Sequence, residues 1–251
     1  MLALGHEVFD VDGARFVRDG RLPDLWEANR ISTVTAETPA AIDRLMARAE
    51  REYDGFGHRR FDVDVTAPPG VEARLLFEGY RAHDFIVMML EGQWSGRAVA
   101  ADIRPCADEP AWAAYGALKR EDWRESARRL GLSEGSVGDQ MVEGHRRRCP
   151  PARYWLAWAD GAPRGFISSW EGMDGLGQVE DLFVHPEFRG RGLAAALIRH
   201  GVAECRRAGA SGVVIVADGD DTPRLAYARM GFRPVAATRA YLRIVTPTPA
   251  R

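Results

Sequence analysis

Apolar positions along this 251-residue chain change period several times, and each change marks an element. Val213-Val-Ile-Val is an unbroken β-branched run, as a buried strand requires. Phe61-Asp-Val-Asp-Val alternates apolar with polar, the period of a strand with one buried face. Ile42, Leu45, Met46 and Ala49 recur at helical spacing within Thr38–Tyr53. Leu193, Leu197, Ile198, Val202 and Cys205 do the same further on, predicting a helix that begins at or near Arg191. Tyr154-Trp-Leu-Ala-Trp-Ala and Phe166-Ile-Ser-Ser-Trp read as strands joined through the turn-rich Asp160-Gly-Ala-Pro-Arg-Gly. Another strand is expected over Gln178–Val184 and an earlier one over Arg97–Arg104. Between these lie helices from Glu109 to about Arg120 and, in pieces, from Glu121 to Arg148, with an interruption near Gly131 to Gly138.

The order strand, proline-started helix, glycine-aromatic, strand occurs twice. One copy runs from Val213 through Asp220-Asp-Thr-Pro-Arg-Leu-Ala-Tyr-Ala-Arg-Met-Gly-Phe to Ala240-Tyr-Leu-Arg-Ile-Val. Thr222 or Asp221 can cap its helix, Pro223 suits the first turn and Gly231 can end it in the left-handed conformation. The other copy runs from Phe61 through Pro68-Pro-Gly-Val-Glu-Ala-Arg-Leu-Leu-Phe-Glu-Gly-Tyr to Phe85-Ile-Val-Met-Met-Leu. Two domains are therefore expected, 1–95 and 96–246, joined near Glu91-Gly-Gln-Trp-Ser-Gly-Arg. A disordered tail is expected over 247–251.

The segment with the most chemistry is Val184-His-Pro-Glu-Phe-Arg-Gly-Arg-Gly-Leu-Ala. Leu182, Phe183 and Val184 end a strand, and Pro186 stops its ladder because proline has no N–H to donate. Gly190 and Gly192 allow a sharp turn and close approach of a ligand. Backbone N–H groups at the start of the next helix form a positive concavity, and Arg189 and Arg191 add charged donors. This describes a pyrophosphate-sized anion site. It lacks the lysine and Ser/Thr of the nucleoside-triphosphate loop and the three glycines of the dinucleotide fingerprint.

What the segment resembles is the acyl-CoA loop of the GNAT superfamily of N-acetyltransferases: Arg or Gln, two residues, Gly, one residue, then Gly or Ala. Arg189, Gly192 and Ala194 fit that pattern, Glu180-Asp-Leu-Phe-Val-His-Pro fits the strand before it, and Tyr227 followed by Gly231-Phe232 fits the family's ending. The resemblance implies an α/β fold with a mixed, mostly antiparallel central sheet flanked by helices. It also implies a tandem protein, with a degenerate N-terminal GNAT-like domain that has no phosphate loop and no cofactor of its own. The cosubstrate implied is acetyl-CoA. Residues Arg189, Gly190, Arg191, Gly192, Leu193 and Ala194 would hold its pyrophosphate, and the backbone of Leu182, Phe183 and Val184 would lie along its pantetheine arm. Asp220 stands where many relatives place an asparagine against that arm, a departure that puts the contact in doubt.

The same resemblance nominates two catalytic side chains. Glu180, similar to the glutamate of the polyamine-acetylating branch, would be the general base, acting through water, with Asp181 its rival. Alternation puts Glu180, Leu182 and Val184 on one strand face and Asp181 and Phe183 on the other, unless a bulge intervenes. Tyr227 would be the acid for the departing thiolate, although the helix also needs a core aromatic there. His185 reads as a loop side chain, while Trp170, Glu171 and Asp174 are weak candidates for an acceptor pocket.

Composition trims the options. Net charge is −2, which argues against a nucleic-acid partner, since such partners need a basic surface. Three cysteines without a CxxC pair, and histidines without ligand spacing, predict neither a disulfide framework nor a metal site. Lys119 is the only lysine, which composition alone explains as bias toward arginine. No signal peptide or membrane span is evident, so a cytoplasmic setting without a membrane partner is expected. The resemblance implies a small-molecule amine as acceptor, and a monomer or homodimer is expected. The competing readings are transfer to a peptide or protein amine, and a non-catalytic acyl-CoA-binding regulator.

Overall fold

A computed structural model describes residues 3–97, 99–220 and 222–245. The expected tail and the candidate cap Asp221 lie outside the described residues. The described residues form two compact units, and neither is one continuous stretch of chain. The N-terminal unit takes residues 3–86, 218–220 and 236–245; the C-terminal unit takes 87–97, 99–217 and 222–235.

In the N-terminal unit, β1 (Glu7–Val11) and β2 (Ala14–Arg18) form an antiparallel hairpin. Its turn is Asp12-Gly13, with φ of 50° and 75°, the pair of left-handed residues that matches the twist of flanking strands. β3 (Arg30–Ser32) pairs antiparallel with β2. α1 (Pro39–Glu52) is capped by Thr38, whose Oγ1 accepts from the Ala41 N–H at 3.2 Å, and buries Ile42, Leu45, Met46 and Ala49, the stripe its sequence predicts. β4 (His58–Val63) lies parallel to β3, followed by α2 (Pro69–Phe77) and β5 (Arg81–Leu90), which passes into the C-terminal unit from Val87. Phe16, Ile31, Leu45, Tyr53 and Phe61 are fully or almost fully buried in the core. The Tyr53 hydroxyl lies 2.8 Å from the Val17 carbonyl and 2.7 Å from that of Arg30, linking the helix end to two strands.

The C-terminal unit follows with β6 (Asp102–Pro105), α3 (Glu109–Leu130), α4 (Val137–Arg147), β7 (Ala152–Ala159), β8 (Ala162–Met173), β9 (Leu176–Val184), α5 (Leu193–Arg207), β10 (Gly212–Asp218), α6 (Pro223–Arg229) and β11 (Arg233–Ile244). β6, β7, β8 and β9 pair antiparallel in succession, and β10 lies parallel to β9. The expected break at Arg120 is absent. Tyr115, Leu118, Trp123 and Ala127 keep one buried stripe running, so α3 continues to Leu130 and Gly131 ends it at φ 67°. The first strand starts at Asp102 rather than Arg97.

β11 departs from the division at residue 95. From Ala236 it belongs to the N-terminal unit, pairing antiparallel with β4 from Arg239↔Val63 to Ile244↔His58. Its side chains explain the placement. Tyr241, fully buried, donates to Glu72 Oε2 at 2.5 Å, and Arg239 bridges Glu72 at 3.1 Å and Asp84 at 2.5 Å. Among the described residues no helix is long and apolar enough to cross a membrane.

Candidate active site

The site begins where two strands part. The β9/β10 ladder runs from Leu176↔Gly212 to Val179↔Ile215 and stops there. None of the remaining residues of β9, Glu180–Val184, has a ladder partner on β10, while Glu180, Phe183 and Val184 stay paired with β8. Their backbone is therefore available to another extended group, as an unpaired strand edge is.

A bulge falls at the same point. Glu180 pairs with Ser168 and Phe183 with Phe166, so Ile167 alone stands opposite Asp181 and Leu182. Asp181 takes φ 55°, left-handed backbone that an aspartate tolerates better than most residues. The plain alternation predicted for Glu180 to Val184 does not hold through it. Phe183, 4 % exposed, stacks on Phe166 in the core, so what it offers a ligand is backbone. Glu180 is half-buried and accepts a hydrogen bond from Gln178 Nε2.

Asp181 is surrounded by cations. Lys119 Nζ of α3 is 3.5 Å from Oδ1, and His145 Nε2 of α4 is 3.6 Å from Oδ2. The Ser168 hydroxyl lies 3.0 Å from the Glu180 carbonyl and 3.3 Å from Asp181 Oδ2, a donor set between two acceptors. Tyr115 is buried, which raises its phenol well above the ordinary value and keeps it protonated. Its hydroxyl lies 2.6 Å from His145 Nδ1, so both ring nitrogens of His145 are partnered, Nδ1 by Tyr115 and Nε2 by Asp181. Burial is the largest single effect on Asp181 and would raise its pKa. His145, Lys119 and Arg148 together outweigh it and hold the carboxyl well below the usual range. A carboxylate so held is a poor proton acceptor, which counts against Asp181 as the base. Lys119, His145 and Ser168 are not among the residues the sequence nominates. The signal for Lys119 is its place four residues after Tyr115 on the buried stripe of α3.

The glycine turn links β9 to α5. Gly190 and Gly192 have φ of 75° and 89°, and a Cβ on Gly190 would meet nothing within 4 Å. Because Gly192 is left-handed, α5 starts at Leu193, two residues later than predicted. No side chain caps the helix, and the Ala196 N–H donates to the Gly192 carbonyl at 3.0 Å. The first-turn N–H groups of Leu193 and Ala194 have no acceptor within the helix, which is the arrangement that suits an anion. The two arginines of the turn divide their work. Arg189 is committed within the protein: Nε donates to the Val184 carbonyl at 2.9 Å, and both terminal nitrogens meet Glu125, at 2.9 and 2.6 Å. Arg191 is exposed with its guanidinium 4.7 Å over the Phe188 ring, and no ion pair to it appears among the described residues.

Residues 112–232 match the model of the Acetyltransferase (GNAT) family, a span that includes β9, the glycine turn, α5 and α6. The chain carries a GNAT acetyltransferase domain. Solved structures agree on the fold. One similar structure is a functionally unknown conserved protein from Staphylococcus epidermidis, 13 % identical, covering 96 % of this chain and 95 % of that one with a TM-score of 0.70. A GCN5-related N-acetyltransferase from Kribbella flavida is 16 % identical over 94 % of this chain and 88 % of that one, with a TM-score of 0.66. A tandem GNAT protein from the clavulanic acid biosynthesis pathway is 17 % identical over 83 % of this chain and 69 % of that one, with a TM-score of 0.54. No curated protein sequence matches the chain. The fold is the expected mixed, mostly antiparallel GNAT type, and the family supports acyl transfer from an acyl-CoA in general.

Within the GNAT domain, Tyr227 is 7 % exposed on α6, its ring 6.3 Å from Phe232. The packing role is thus real whatever its hydroxyl does. Asp220 is placed differently from the other candidates. It is exposed in a loop that belongs to the N-terminal unit, where its N–H donates to Asp218 Oδ1 at 2.9 Å. There Asp218, Asp220 and His83 offer ligand atoms within 4.8 Å of one another, a grouping that sequence spacing does not reveal. An ion pair of 3.1 Å between His83 and Asp218 accounts for two of the three. Among the weaker candidates, His185 caps the turn after β9, accepting from the Glu187 N–H at 3.3 Å. Glu171 is paired with Arg153, and Asp174 is exposed at the β8–β9 hairpin tip with φ 53°.

Proposed function

We propose that the GNAT domain moves an acetyl group from acetyl-CoA to the primary amine of a small molecule. The observation that carries this is the open backbone edge of Glu180–Val184 leading, through the Gly190–Gly192 turn, into an uncapped helix N-terminus. An extended arm ending in a pyrophosphate fits that sequence of features: strand-like pairing first, then an anion cradle of Gly190, Arg191, Gly192, Leu193 and Ala194. Acetyl-CoA would supply the acyl carbon as a thioester. Arg189 serves this reading by bracing the turn against Val184 and Glu125 rather than by offering its guanidinium.

The chain's own part in the reaction is proton handling and placement. An amine attacks only when neutral, so a base must take its proton. Glu180, half-buried beside the open edge, fills that role through a water molecule. As the new C–N bond forms and the C–S bond breaks, the sulfur leaves as thiolate and takes the Tyr227 hydroxyl proton, while the second proton of the attacking nitrogen is lost to water to leave the neutral amide. Glu180 and Tyr227 then return to their starting states by exchange with solvent.

The test is thiol release from acetyl-CoA against polyamines, aminoglycosides, amino acids, arylamines and short peptides, with Glu180→Gln alongside. The expected result is one small-amine class as acceptor, and a loss in kcat of about 10²–10⁴-fold in the variant. Activity only on peptides would reassign the acceptor. Acetyl-CoA binding with no acceptor in any class, and no effect of the substitution, would reject the enzyme reading.

A further inference from the structure

Four elements converge on Asp181, a carboxylate that is not the candidate base. Lys119 comes from α3, His145 from α4, Ser168 from β8, and the aspartate itself sits on β9. The side chains are nearly shut off from water: Lys119 is 7 % exposed, His145 1 % and Asp181 13 %. Burying this much charge is costly and does little for stability that apolar packing would not do better. The backbone makes the choice more pointed. At φ 55° a glycine would sit without strain, yet the chain places an aspartate there. Strained backbone persists where the surroundings over-determine it. Here the surroundings are the cations gripping the carboxylate and a serine that touches both the residue before the bulge and the bulge itself.

We propose that Lys119, His145 and Ser168 lock the β9 bulge through the Asp181 carboxylate, making Asp181 and Ser168 positioning residues for Glu180. The inference rests on the acyl-transfer reading above. Bulges redirect a strand's side chains and end its pairing, and this one lies immediately after the last β9/β10 ladder pair. Releasing the carboxylate would let β9 relax toward regular pairing, turning Glu180 and closing the edge along Leu182–Val184. The strength of the lock thereby sets how well the base and the cosubstrate's strand-like contacts are placed.

The experiment uses the full chain with Asp181→Asn, Ser168→Ala, Glu180→Gln and the double variant Asp181→Asn/Glu180→Gln. Asparagine keeps the shape and tolerates left-handed backbone but carries no charge. Three quantities are read: amide exchange across residues 176–184, acetyl-CoA affinity by calorimetry, and kcat with the acceptor that the panel identifies. The lock predicts faster exchange confined to 180–184, and a fall in kcat of roughly tenfold to a hundredfold for Asp181→Asn. In the Glu180→Gln background the same change should cost less than about twofold, because it acts through Glu180. Ser168→Ala should move all three in the same direction by less, and it carries the test if Asp181→Asn does not fold. Exchange that is unchanged or raised evenly, or a rate loss of equal factor in both backgrounds, overturns the proposal. Wild-type protein that fails to bind acetyl-CoA would instead remove the acyl-transfer reading, with the exchange pattern still deciding whether the lock exists.

Discussion

Gly192 offers a sharp test of how the glycine turn is built. It holds φ 89° at the N-cap of α5, and a Cβ added there would lie 2.7 Å from Val99 Cγ2 and 3.2 Å from Cγ1. An L-residue in left-handed backbone costs roughly 1–2 kcal/mol. The carbon contact is well inside the ~3.5–4.0 Å at which such atoms rest, and pushing Val99 aside adds about 1–2 kcal/mol. Gly192→Ala should therefore destabilise the C-terminal unit by about 2–4 kcal/mol. Gly190→Ala is the control: it has φ 75° but open space around its Cβ, so only the backbone cost of about 1–2 kcal/mol applies. Urea denaturation followed by tryptophan fluorescence suits the comparison, because every tryptophan except Trp26 lies in the C-terminal unit. Adding Val99→Ala to Gly192→Ala should recover the contact part and leave the backbone part. Equal losses for the two glycine variants, or no relief from Val99→Ala, would show that the close approach of Val99 does not constrain the turn.

Further outcomes follow from two other contacts. His58 is 1 % exposed, and burial pushes its pKa down to about 4. The unfolded chain takes up that proton near pH 6.5 while the folded chain does not, so stability is full above pH 6.5 and falls as pH drops toward 4. The loss should total about 3 kcal/mol in denaturation curves read by circular dichroism, and His58→Gln should flatten it. Glu125 and Arg189 form a half-exposed pair, so Glu125→Gln should change stability by less than about 1 kcal/mol. It should also tighten acetyl-CoA binding roughly threefold to tenfold at low salt, by removing a carboxylate from beside the turn, and less at high salt. Weaker binding on calorimetry would mean that Glu125 chiefly braces Arg189.

The parts legible in the chain are those whose signals are local. The strand end, the glycine pair and the helix stripe of α5 each follow from a few neighbouring residues, and the structure has them in that order. The Asp12-Gly13 hairpin is equally local, an Asp-Gly pair between alternating residues, yet β1 to β3 are absent from the expected elements. Two features are beyond local reading. The bulge at Asp181 depends on Lys119 and His145, far upstream, and on Ser168 of the neighbouring strand. The placement of β11 depends on Tyr241 and Arg239 meeting Glu72 and Asp84, more than a hundred residues earlier. Sequence order alone groups the last strand with what precedes it, whereas hydrogen bonds and ion pairs group it with what came first.

If the GNAT domain acetylates amines as proposed, the burial of Lys119 has a consequence. Such an enzyme carries a bound, activated acyl donor through every cycle, and its own lysines compete for it. This chain has a single ε-amine, its side chain 7 % exposed and paired with Asp122 at 2.9 Å as well as with Asp181. Buried and held between two carboxylates it is kept away from an acyl donor, and arginine, which supplies the rest of the positive charge, stays protonated in any working buffer. The amine side chain of the protein is thereby kept from the proposed reaction. Acylation detected on the intact chain after turnover would have to lie outside it, and lysine-directed reagents should leave Lys119 unlabelled until the protein unfolds.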